Sequence, residues 1–508
     1  MNQITSRRTD SAKPPVLVPG KTCWRMERAD RFAVIVDAAD YFAALRSSIL
    51  KARRRVLLIG WDFDTRIKLE RERSDSKAPE KLGKLLGWLV DERPDLEVFV
   101  LRWDLSIIDT FGRGTTPVRI LDWITDKRMH FKLDGAHPAA SAHHQKVVVI
   151  DDKLAFCGGI DITGHRWDTR EHLDDDPRRV GPTLKRPYGP WHDATTAVDG
   201  DVARALGELA RSRWKRATGE DIEPPSPIEG DPWPDGVSPT FENVQVAIAR
   251  TIPVYAEQEE VREIEALYLA AIRGAERSVY IESQYFASRR IAEAVARRMG
   301  EPGGPEIVVV NPQASFGWLE EEAMGTARAR LFKMIGEVDR GPRFRIYNPM
   351  TAGGEPIYVH AKILAVDDRL LRVGSSNLNN RSMGFDTECD LAVEAEPGPA
   401  GDKVRGEIIR FRNDLLAEHL GSTPEIVTDA IRSAGGSLIG AIESLRGEGR
   451  TLSPFQPPET NAFGEALADN ALFDPERASQ RLGRVRRWTG RLKRRLLGEP
   501  AAPAPARG

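Results

Sequence analysis

Stripes of apolar residues at helical spacing alternate along the chain with short apolar runs. Residues 40–54 carry one such stripe and lead into a run near 55–61, and residues 259–274 lead likewise into a run near 278–282. This alternation predicts α/β units built around a mostly buried sheet. Further strands are predicted near 96–102, 145–151, 153–157, 306–311, 343–347, 361–366 and 388–394, with helices over 80–91, 288–299 and 319–337.

A short pattern, His-x-Lys-x-x-x-x-Asp, occurs twice in the chain. Its two copies comprise His144, Lys146 and Asp151, and His360, Lys362 and Asp367. Each copy is followed, seven residues beyond its aspartate, by a small pair, Gly158-Gly159 in the first and Gly374-Ser375 in the second. Repetition of the motif with its glycine step predicts an internal duplication. We expect two α-β-α lobes packed about a pseudo-two-fold axis, with both motifs at their interface.

The segments around the repeat differ in composition. Residues 218–240 contain several prolines and acidic residues but no basic residue, which is typical of an extended linker. Residues 477–497 are strongly basic, with apolar residues near helical spacing, which favours an interfacial amphipathic helix. The predicted organisation is an arm over 1–30, a first lobe over 31–217, the linker over 218–240, a second lobe over 241–420, and a helical C-terminal extension over 421–508.

Composition excludes several classes of protein. The 508 residues carry a formal net charge of −2, which argues against a generally basic nucleic-acid coat. No apolar run reaches the length of a membrane span, and three cysteines cannot form a disulfide framework. No secretory signal is visible at the N-terminus. We expect a cytoplasmic, monomeric protein that associates peripherally with membranes; export by a non-classical route is the alternative.

The repeated motif carries candidate chemistry. On a strand, side chains two positions apart share a face, so each histidine points the same way as its lysine. Two histidines and two lysines at one interface suit a phosphodiester: the lysines neutralise phosphate oxygens, one histidine attacks phosphorus, and the other transfers protons. The interleaved lysines argue against a metal, so no metal or other cofactor is expected. Asp151 and Asp367 have the opposite parity and are predicted to be structural.

Other residues are candidates for substrate binding. Gly159 marks a close backbone approach, and Ser375 and Asn377 can offer hydrogen bonds to phosphate. Residues 164–192 form an insertion after the first motif with an acidic run, Asp174 to Asp176, and several aromatic residues. Aromatic faces and carboxylates suit a quaternary ammonium headgroup, which makes Trp167 and Trp191 candidates; a solvated loop with packed aromatics is the alternative.

At these motifs the chain resembles the phospholipase D superfamily, over most of residues 30–420. The segments PWHD (190–193) and IESQYF (281–286) look most like the eukaryote-like phospholipase D enzymes. The resemblance implies a bilobal fold and a phosphohistidine intermediate, with His144 as nucleophile and His360 as general acid and base. It further implies that Lys146, Lys362 and Asn377 hold phosphate oxygens, that Gln284 contacts substrate, that Asp193 orients His144, and that Glu388 orients His360.

Two positions depart from the family pattern. Ser283 stands where the family usually has asparagine, so a substrate contact there is in question. Asp161 stands where the second half has Asn377; since an acid beside phosphate is unfavourable, we expect it to point elsewhere or to bind a cationic headgroup.

The resulting hypothesis is a phospholipase D, a phosphodiesterase of lipid degradation. It would convert a glycerophospholipid such as phosphatidylcholine to phosphatidate and free alcohol, and transfer to another alcohol is possible. The partners would be a phospholipid membrane surface and the lipid itself, and nucleic acid is not expected. The alternatives are a cardiolipin-synthase-like phosphatidyltransferase, a nuclease of the same superfamily, and a catalytically inactive lipid-binding protein.

Overall fold

The computed structural model describes residues 14–71, 77–104, 126–314, 318–458 and 474. The strands are β1 Arg25–Val36, β2 Arg55–Gly60, β3 Glu97–Trp103, β4 Met129–Asp134, β5 Val147–Ile150, β6 Leu154–Gly158, β7 Trp191–His192, β8 Ala194–Asp199, β9 Phe241–Ile252, β10 Val261–Arg262, β11 Ser278–Glu282, β12 Glu306–Val310, β13 Phe344–Met350, β14 Tyr358–Val359, β15 Ile363–Val366, β16 Leu370–Gly374, β17 Glu388–Glu394 and β18 Thr451–Pro454. The helices are α1 Ala38–Lys51, α2 Leu82–Glu92, α3 Gly200–Thr218, α4 Glu263–Gly274, α5 Arg289–Gly300, α6 Trp318–Val338, α7 Asn380–Gly384, α8 Pro399–His419, α9 Pro424–Ser433 and α10 Leu438–Leu445.

The strand order of the main sheet repeats the predicted duplication. One half runs β4-β3-β2-β5-β6-β8-β1, and the other runs β13-β12-β11-β15-β16-β17-β9, with β1 and β9 paired antiparallel in the middle. In each half the strands β2-β3-β4 or β11-β12-β13 are parallel, and the remaining neighbours are antiparallel. The prediction of two similar α/β halves about a pseudo-two-fold axis is therefore confirmed.

Three apolar cores hold the layers together. Helices α1 and α2 cover one face of the first half, and α4, α5 and α6 cover one face of the second. The third core combines buried residues of both halves with those of α3 and α8. Cys157 of β6 and Cys389 of β17 lie within this core, and Cys157 Sγ lies 3.6 Å from the Cys389 carbonyl oxygen. The two halves thus bury a common apolar interface next to the repeated motifs.

The described segments at the ends of the halves differ from the predicted organisation. Strand β1 begins at Arg25, so part of the predicted N-terminal arm belongs to the centre of the sheet. The predicted helical extension contributes α9 and α10 but also β18, which pairs with β13 at the sheet edge. Residues 219–240 contain no helix or strand. The predicted amphipathic helix over 477–497 lies outside the described residues. No helix among the described residues is both long and apolar enough to cross a membrane.

The two motif aspartates hold equivalent turns. The Asp151 carboxylate accepts hydrogen bonds from the backbone N–H groups of residues 53, 54 and 55, each at 2.7 Å. The Asp367 carboxylate accepts from those of residues 276, 277 and 278 at 2.8–2.9 Å. Both aspartates have φ of 53°, a left-handed conformation that aspartate tolerates better than most residues. These contacts fix the entry of β2 and β11, beside β5 and β15.

We expect Asp151→Ala to lower the free energy of unfolding by about 2–4 kcal/mol, because three backbone donors lose a charged acceptor. Urea denaturation followed by circular dichroism measures the effect. The exposed ion-pairing residue Asp95 provides the control, and Asp95→Ala should change stability by less than about 0.5 kcal/mol. Equal effects of the two variants would contradict this role for Asp151.

Candidate active site

Two short backbone pairings bring the motif histidines to the interface between the halves. Residues 358–359, just before His360, pair with residues 191–192, just before Asp193. In the other half, His143 pairs with Thr387, and the His144 N–H donates to the Thr387 carbonyl at 3.0 Å. The histidine and lysine of each motif lie just before β5 and β15, which begin at the residue after each lysine, rather than within the strands as predicted. Each histidine therefore meets an acidic residue of the opposite half.

His144 is oriented by Glu388. Its Nδ1 lies 3.0 and 2.9 Å from the two carboxylate oxygens of Glu388. The carboxylate is fully buried and also accepts hydrogen bonds from the hydroxyls of Ser375 and Ser382. The His144 side chain keeps 15% of its surface exposed. Because Nδ1 is engaged, Nε2 is the ring nitrogen left for chemistry.

His360 is oriented by Asp193. Its Nδ1 lies 2.6 Å from Asp193 Oδ2, and its backbone N–H donates to the His192 carbonyl at 2.7 Å. The predicted pairing of Asp193 with His144 and of Glu388 with His360 is therefore wrong: each histidine takes its carboxylate from the other half. The reason is the backbone pairing, which sets each acid beside the opposite motif.

The two lysines lie in different electrostatic surroundings. Each ammonium donates to the backbone carbonyl of its own motif histidine. Lys146 Nζ also lies 3.2 Å from Asp161 Oδ2, so Asp161 is held by a lysine of the site. Asn377, which replaces that acid in the second half, bears no charge. The carboxylate that acts most strongly on Lys362 is instead Asp193.

Burial and charge shift the protonation of these groups. Burial and the cations of Lys146 and Lys362 hold the pKa of His144 well below its usual range. Burial, Lys362 and Arg166 do the same to the pKa of His360. Burial lowers the pKa of Lys362 to about 7, although Asp193 acts in the opposite direction. Large pKa shifts of this kind are common at functional sites. A bound anion would favour the protonated, charged forms of His144, His360 and Lys362.

The remaining phosphate-site candidates lie around these pairs. A Cβ at Gly159 would come within 2.4 Å of Asp193 Oδ1 and 3.2 Å of Lys362 Cδ, so only glycine fits there. Asn377 is buried, and its amide nitrogen donates to Gln284 at 3.4 Å. The Ser375 hydroxyl instead donates to Glu388 and accepts from the Cys389 N–H. It therefore positions the carboxylate rather than offering that hydroxyl to phosphate.

The aromatic candidates are not open to a cationic headgroup. Trp167 is buried, and the guanidiniums of Arg71 and Arg178 lie 4.5 and 4.9 Å from its ring. Trp191 lies 5.3 Å from the His360 ring, but the Arg166 guanidinium already stacks on it at 4.4 Å. Guanidiniums of the protein thus take the place that the sequence analysis assigned to a quaternary ammonium group.

The acidic run in the insertion makes structural contacts. Asp174 accepts from the Thr351 hydroxyl and the Gly353 N–H, and Asp176 pairs with Arg178 at 2.8 Å. The solvated-loop alternative therefore describes this run better than a headgroup site does.

Sequence reasoning missed three contributors to the site. Ser382 donates to Glu388 at 2.6 Å, and Tyr358 stacks on Trp191 at 4.5 Å. Arg166 places a cation close enough to His360 to lower the pKa of its ring. Ser382 lies five residues after the candidate Asn377, whereas Arg166 belongs to no repeated pattern.

Comparison with known proteins places this geometry in context. A family model described as phospholipase D matches residues 48–226 and 350–434, which contain both histidine–lysine motifs. Phospholipase D A of Dictyostelium discoideum is 26% identical over 480 residues, covering 79% of this chain and 36% of that protein. Phospholipase D alpha 1 of Zea mays is 25% identical over 517 residues, covering 75% of this chain and 63% of that protein. The chain thus spans less than two thirds of the length of either relative.

A solved structure supports the architecture. The crystal structure of phosphatidylserine synthase from Haemophilus influenzae matches with a TM-score of 0.51, covering 82% of this chain and 97% of that one. The sequence identity is 12%, so the match concerns the fold alone.

Proposed function

The chain belongs to the phospholipase D family, and we propose that it cleaves the headgroup phosphodiester of glycerophospholipids through a phosphohistidine intermediate. One observation carries the proposal: two histidines at one interface, each held by a buried carboxylate and each accompanied by a lysine. Two oriented imidazoles allow one displacement at phosphorus to be divided into two, and paired ammonium groups suit the charge of a phosphate.

In the first step His144 is the proposed nucleophile. Its Nδ1–H donates to Glu388, which leaves the Nε2 lone pair free to attack phosphorus. A bond forms between Nε2 and phosphorus while the bond from phosphorus to the headgroup oxygen breaks. His360 donates its Nε2 proton to that oxygen, and Asp193 stabilises the imidazolium before the transfer. The products are a phosphatidyl-histidine and a free alcohol.

In the second step the roles of the histidines follow from microscopic reversibility. Neutral His360 accepts a proton from water or from an acceptor alcohol, whose oxygen then attacks phosphorus. The bond between phosphorus and His144 breaks, which releases phosphatidate or a new phosphatidyl ester. Lys146, Lys362 and Asn377 would hold the non-bridging oxygens throughout.

The lipid and its setting are part of the proposal. Phosphatidylcholine is the substrate to test first. Phosphatidylethanolamine and phosphatidylglycerol follow, because guanidiniums of the protein already stack on Trp167 and Trp191, the residues predicted to bind a quaternary ammonium headgroup. We propose that the protein meets these lipids as a peripheral protein at a membrane surface. The lobe boundaries at residues 217, 241 and 420 belong to the same proposal, while the first lobe begins before residue 31, with β1.

The direct test is incubation with vesicles of each phospholipid, with and without ethanol, and analysis of products by mass. Phosphatidate and free headgroup, together with phosphatidylethanol when ethanol is present, would support the proposal. Cardiolipin formation from phosphatidylglycerol alone would favour the phosphatidyltransferase. Cleavage of DNA with no change in any lipid would contradict the proposal and favour a nuclease.

The pH dependence tests the role of Arg166 beside His360. If protonated His360 is the acid in the first step, kcat/KM falls as pH rises through its pKa, and the depressed pKa places this fall below the usual histidine range. Removing the cation in Arg166→Ala should raise that pKa and move the alkaline limb to higher pH. Arg186→Ala, at an exposed position of the insertion, is the control and should leave the profile in place. An unmoved limb in Arg166→Ala would contradict the assignment.

A further inference from the structure

A second cluster of histidines and carboxylates lies next to the proposed active site and takes no part in it. Its four members, which we call the buried quartet, are Asp37, His172, His192 and Glu418, contributed by the start of α1, the insertion, β7 and the end of α8. One potential ligand atom from each lies within 4.8 Å of the others, and their side chains are at most 2% exposed. No lysine is a member of the quartet.

The potential ligand atoms of the quartet lie close to one another. His172 Nε2 lies 3.6 Å from Asp37 Oδ2 and 3.2 Å from Glu418 Oε1. His192 Nδ1 lies 2.8 Å from Glu418 Oε1 and 3.3 Å from Asp37 Oδ1. Metal–ligand bonds of about 2.0–2.1 Å in a tetrahedron require edges of about 3.3–3.4 Å between ligand atoms. The distances of 3.6, 3.2 and 3.3 Å are close to that length, whereas His192 Nδ1 and Glu418 Oε1 at 2.8 Å would have to move apart on binding an ion. Asp37 approaches the two imidazoles through different oxygens.

Two atoms of the quartet are buried without a hydrogen-bond partner. They are Asp37 Oδ2 and His192 Nδ1. His192 Nδ1 is close to two carboxylate oxygens, yet neither lies in line with an N–H bond at that nitrogen. Buried polar atoms without a partner are costly, so the arrangement calls for an additional group.

Carboxylates outside the quartet orient its imidazoles. His172 Nδ1 lies 3.0 Å from Asp168 Oδ2, and His192 Nε2 lies 2.8 Å from Glu282 Oε2. Each imidazole thus directs one nitrogen at a carboxylate and the other at the centre of the quartet. This is the carboxylate–histidine–metal arrangement found around zinc, in which the outer carboxylate fixes the tautomer and strengthens the ligand.

The charge of the region matches a divalent cation. Asp37, Glu418, Asp168 and Glu282 are four buried carboxylates. Arg170 pairs with Glu418 at 2.5 Å, and Arg179 pairs with Asp168 at 3.3 Å. With neutral histidines, two negative charges remain, and a divalent ion would cancel both.

From these contacts we propose that the buried quartet is a structural zinc site with two nitrogen and two oxygen ligands. Such a donor set suits zinc, and four protein ligands leave no open position for catalysis. The lysines that accompany the motif histidines argue against a metal there, but the quartet is a different cluster and contains no lysine. The quartet is also coupled to the active site: the Asp193 N–H donates to Asp37 Oδ1 at 3.1 Å, and His192 precedes Asp193. The zinc would hold the segment that carries the partner of His360.

Metal analysis tests the proposal without any assay of activity. Full-length protein, freed of any affinity tag and purified without chelators from zinc-supplemented culture, should contain about one zinc per chain by plasma mass spectrometry. His172→Gln and Glu418→Gln should each retain less than about a tenth of that zinc. His137→Gln is the control, since His137 is buried but faces Asp104 and lies outside the quartet, and it should retain the metal.

Spectroscopy of the unaltered protein tests the zinc site without requiring that any substituted protein folds correctly. Protein grown with cobalt in place of zinc should show the intense visible bands of tetrahedral cobalt. Fewer than about 0.1 zinc per chain together with no such bands would overturn the proposal. The cluster would then be neutralised by protonated His172 and His192 instead. Either result is independent of the proposed lipid cleavage.

Discussion

His144→Asn should reduce headgroup release from phosphatidylcholine by at least about 10⁴-fold. The variant removes the proposed nucleophile while its amide can still donate to Glu388, so the surrounding contacts are preserved. Release of choline from vesicles, measured at saturating lipid, gives kcat directly. A matched change at His130, a partly exposed histidine of β4, should leave kcat within about twofold of the original.

The loss of kcat in His144→Asn will be this large only if His144 is the group that attacks phosphorus. If His144→Asn retained more than about a hundredth of the original kcat while keeping its circular dichroism spectrum and thermal midpoint, His144 would not be the nucleophile. In that case His360→Asn would be tested next, with a lipid whose leaving group needs no proton, to see whether this variant fails to form the covalent intermediate.

The crossed carboxylate pairs predict different defects for Asp193→Asn and Glu388→Gln. Each should slow headgroup release from phosphatidylcholine by about 10²–10⁴-fold, since each disturbs one oriented imidazole. A phosphatidyl ester of p-nitrophenol separates them, because p-nitrophenolate leaves without a proton. With this lipid Asp193→Asn should still give a rapid first-turnover burst, because His144 and Glu388 are intact, followed by slow turnover. Glu388→Gln should slow the burst itself.

Stopped-flow absorbance of p-nitrophenolate, with enzyme concentration comparable to lipid, measures both phases. The opposite result, with the burst retained in Glu388→Gln and lost in Asp193→Asn, would indicate that Asp193 serves the nucleophile. That outcome would contradict the pairing seen in the structure or the assignment of His144.

Much of the fold follows from local patterns in the sequence. The run that became β11 is short and contains β-branched residues, and the predicted limits of β11 and β17 match the structure. The repeated motif also predicted that two similar halves would share an interface. Strands β1 and β9 escaped prediction, since β1 carries charged residues such as Arg28 and Asp30 that alternate with apolar ones. They lie at the centre of the sheet because each half contributes one of these two strands and the two strands pair with each other.

The site was predictable in its members but not in its pairings. The repeat marks both histidines and both lysines, whereas nothing in the order of residues reveals that Asp193 lies beside His360 rather than His144. That depends on residues 191–192 pairing with residues 358–359, a contact between distant segments. The aromatic pocket failed for a related reason: the guanidiniums that stack on Trp167 and Trp191 come from residues with no recognisable spacing.

The most direct test of the proposed mechanism is to locate the covalent intermediate. Asp193→Asn, mixed with phosphatidyl p-nitrophenol and quenched during the burst, should carry a phosphatidyl group that tandem mass spectrometry maps to His144 within tryptic peptide 133–146. Fragment ions distinguish His144 from His137 and His143 in the same peptide. The account predicts this adduct and its loss in His144→Asn. An adduct on peptide 346–362, whose one histidine is His360, would contradict it.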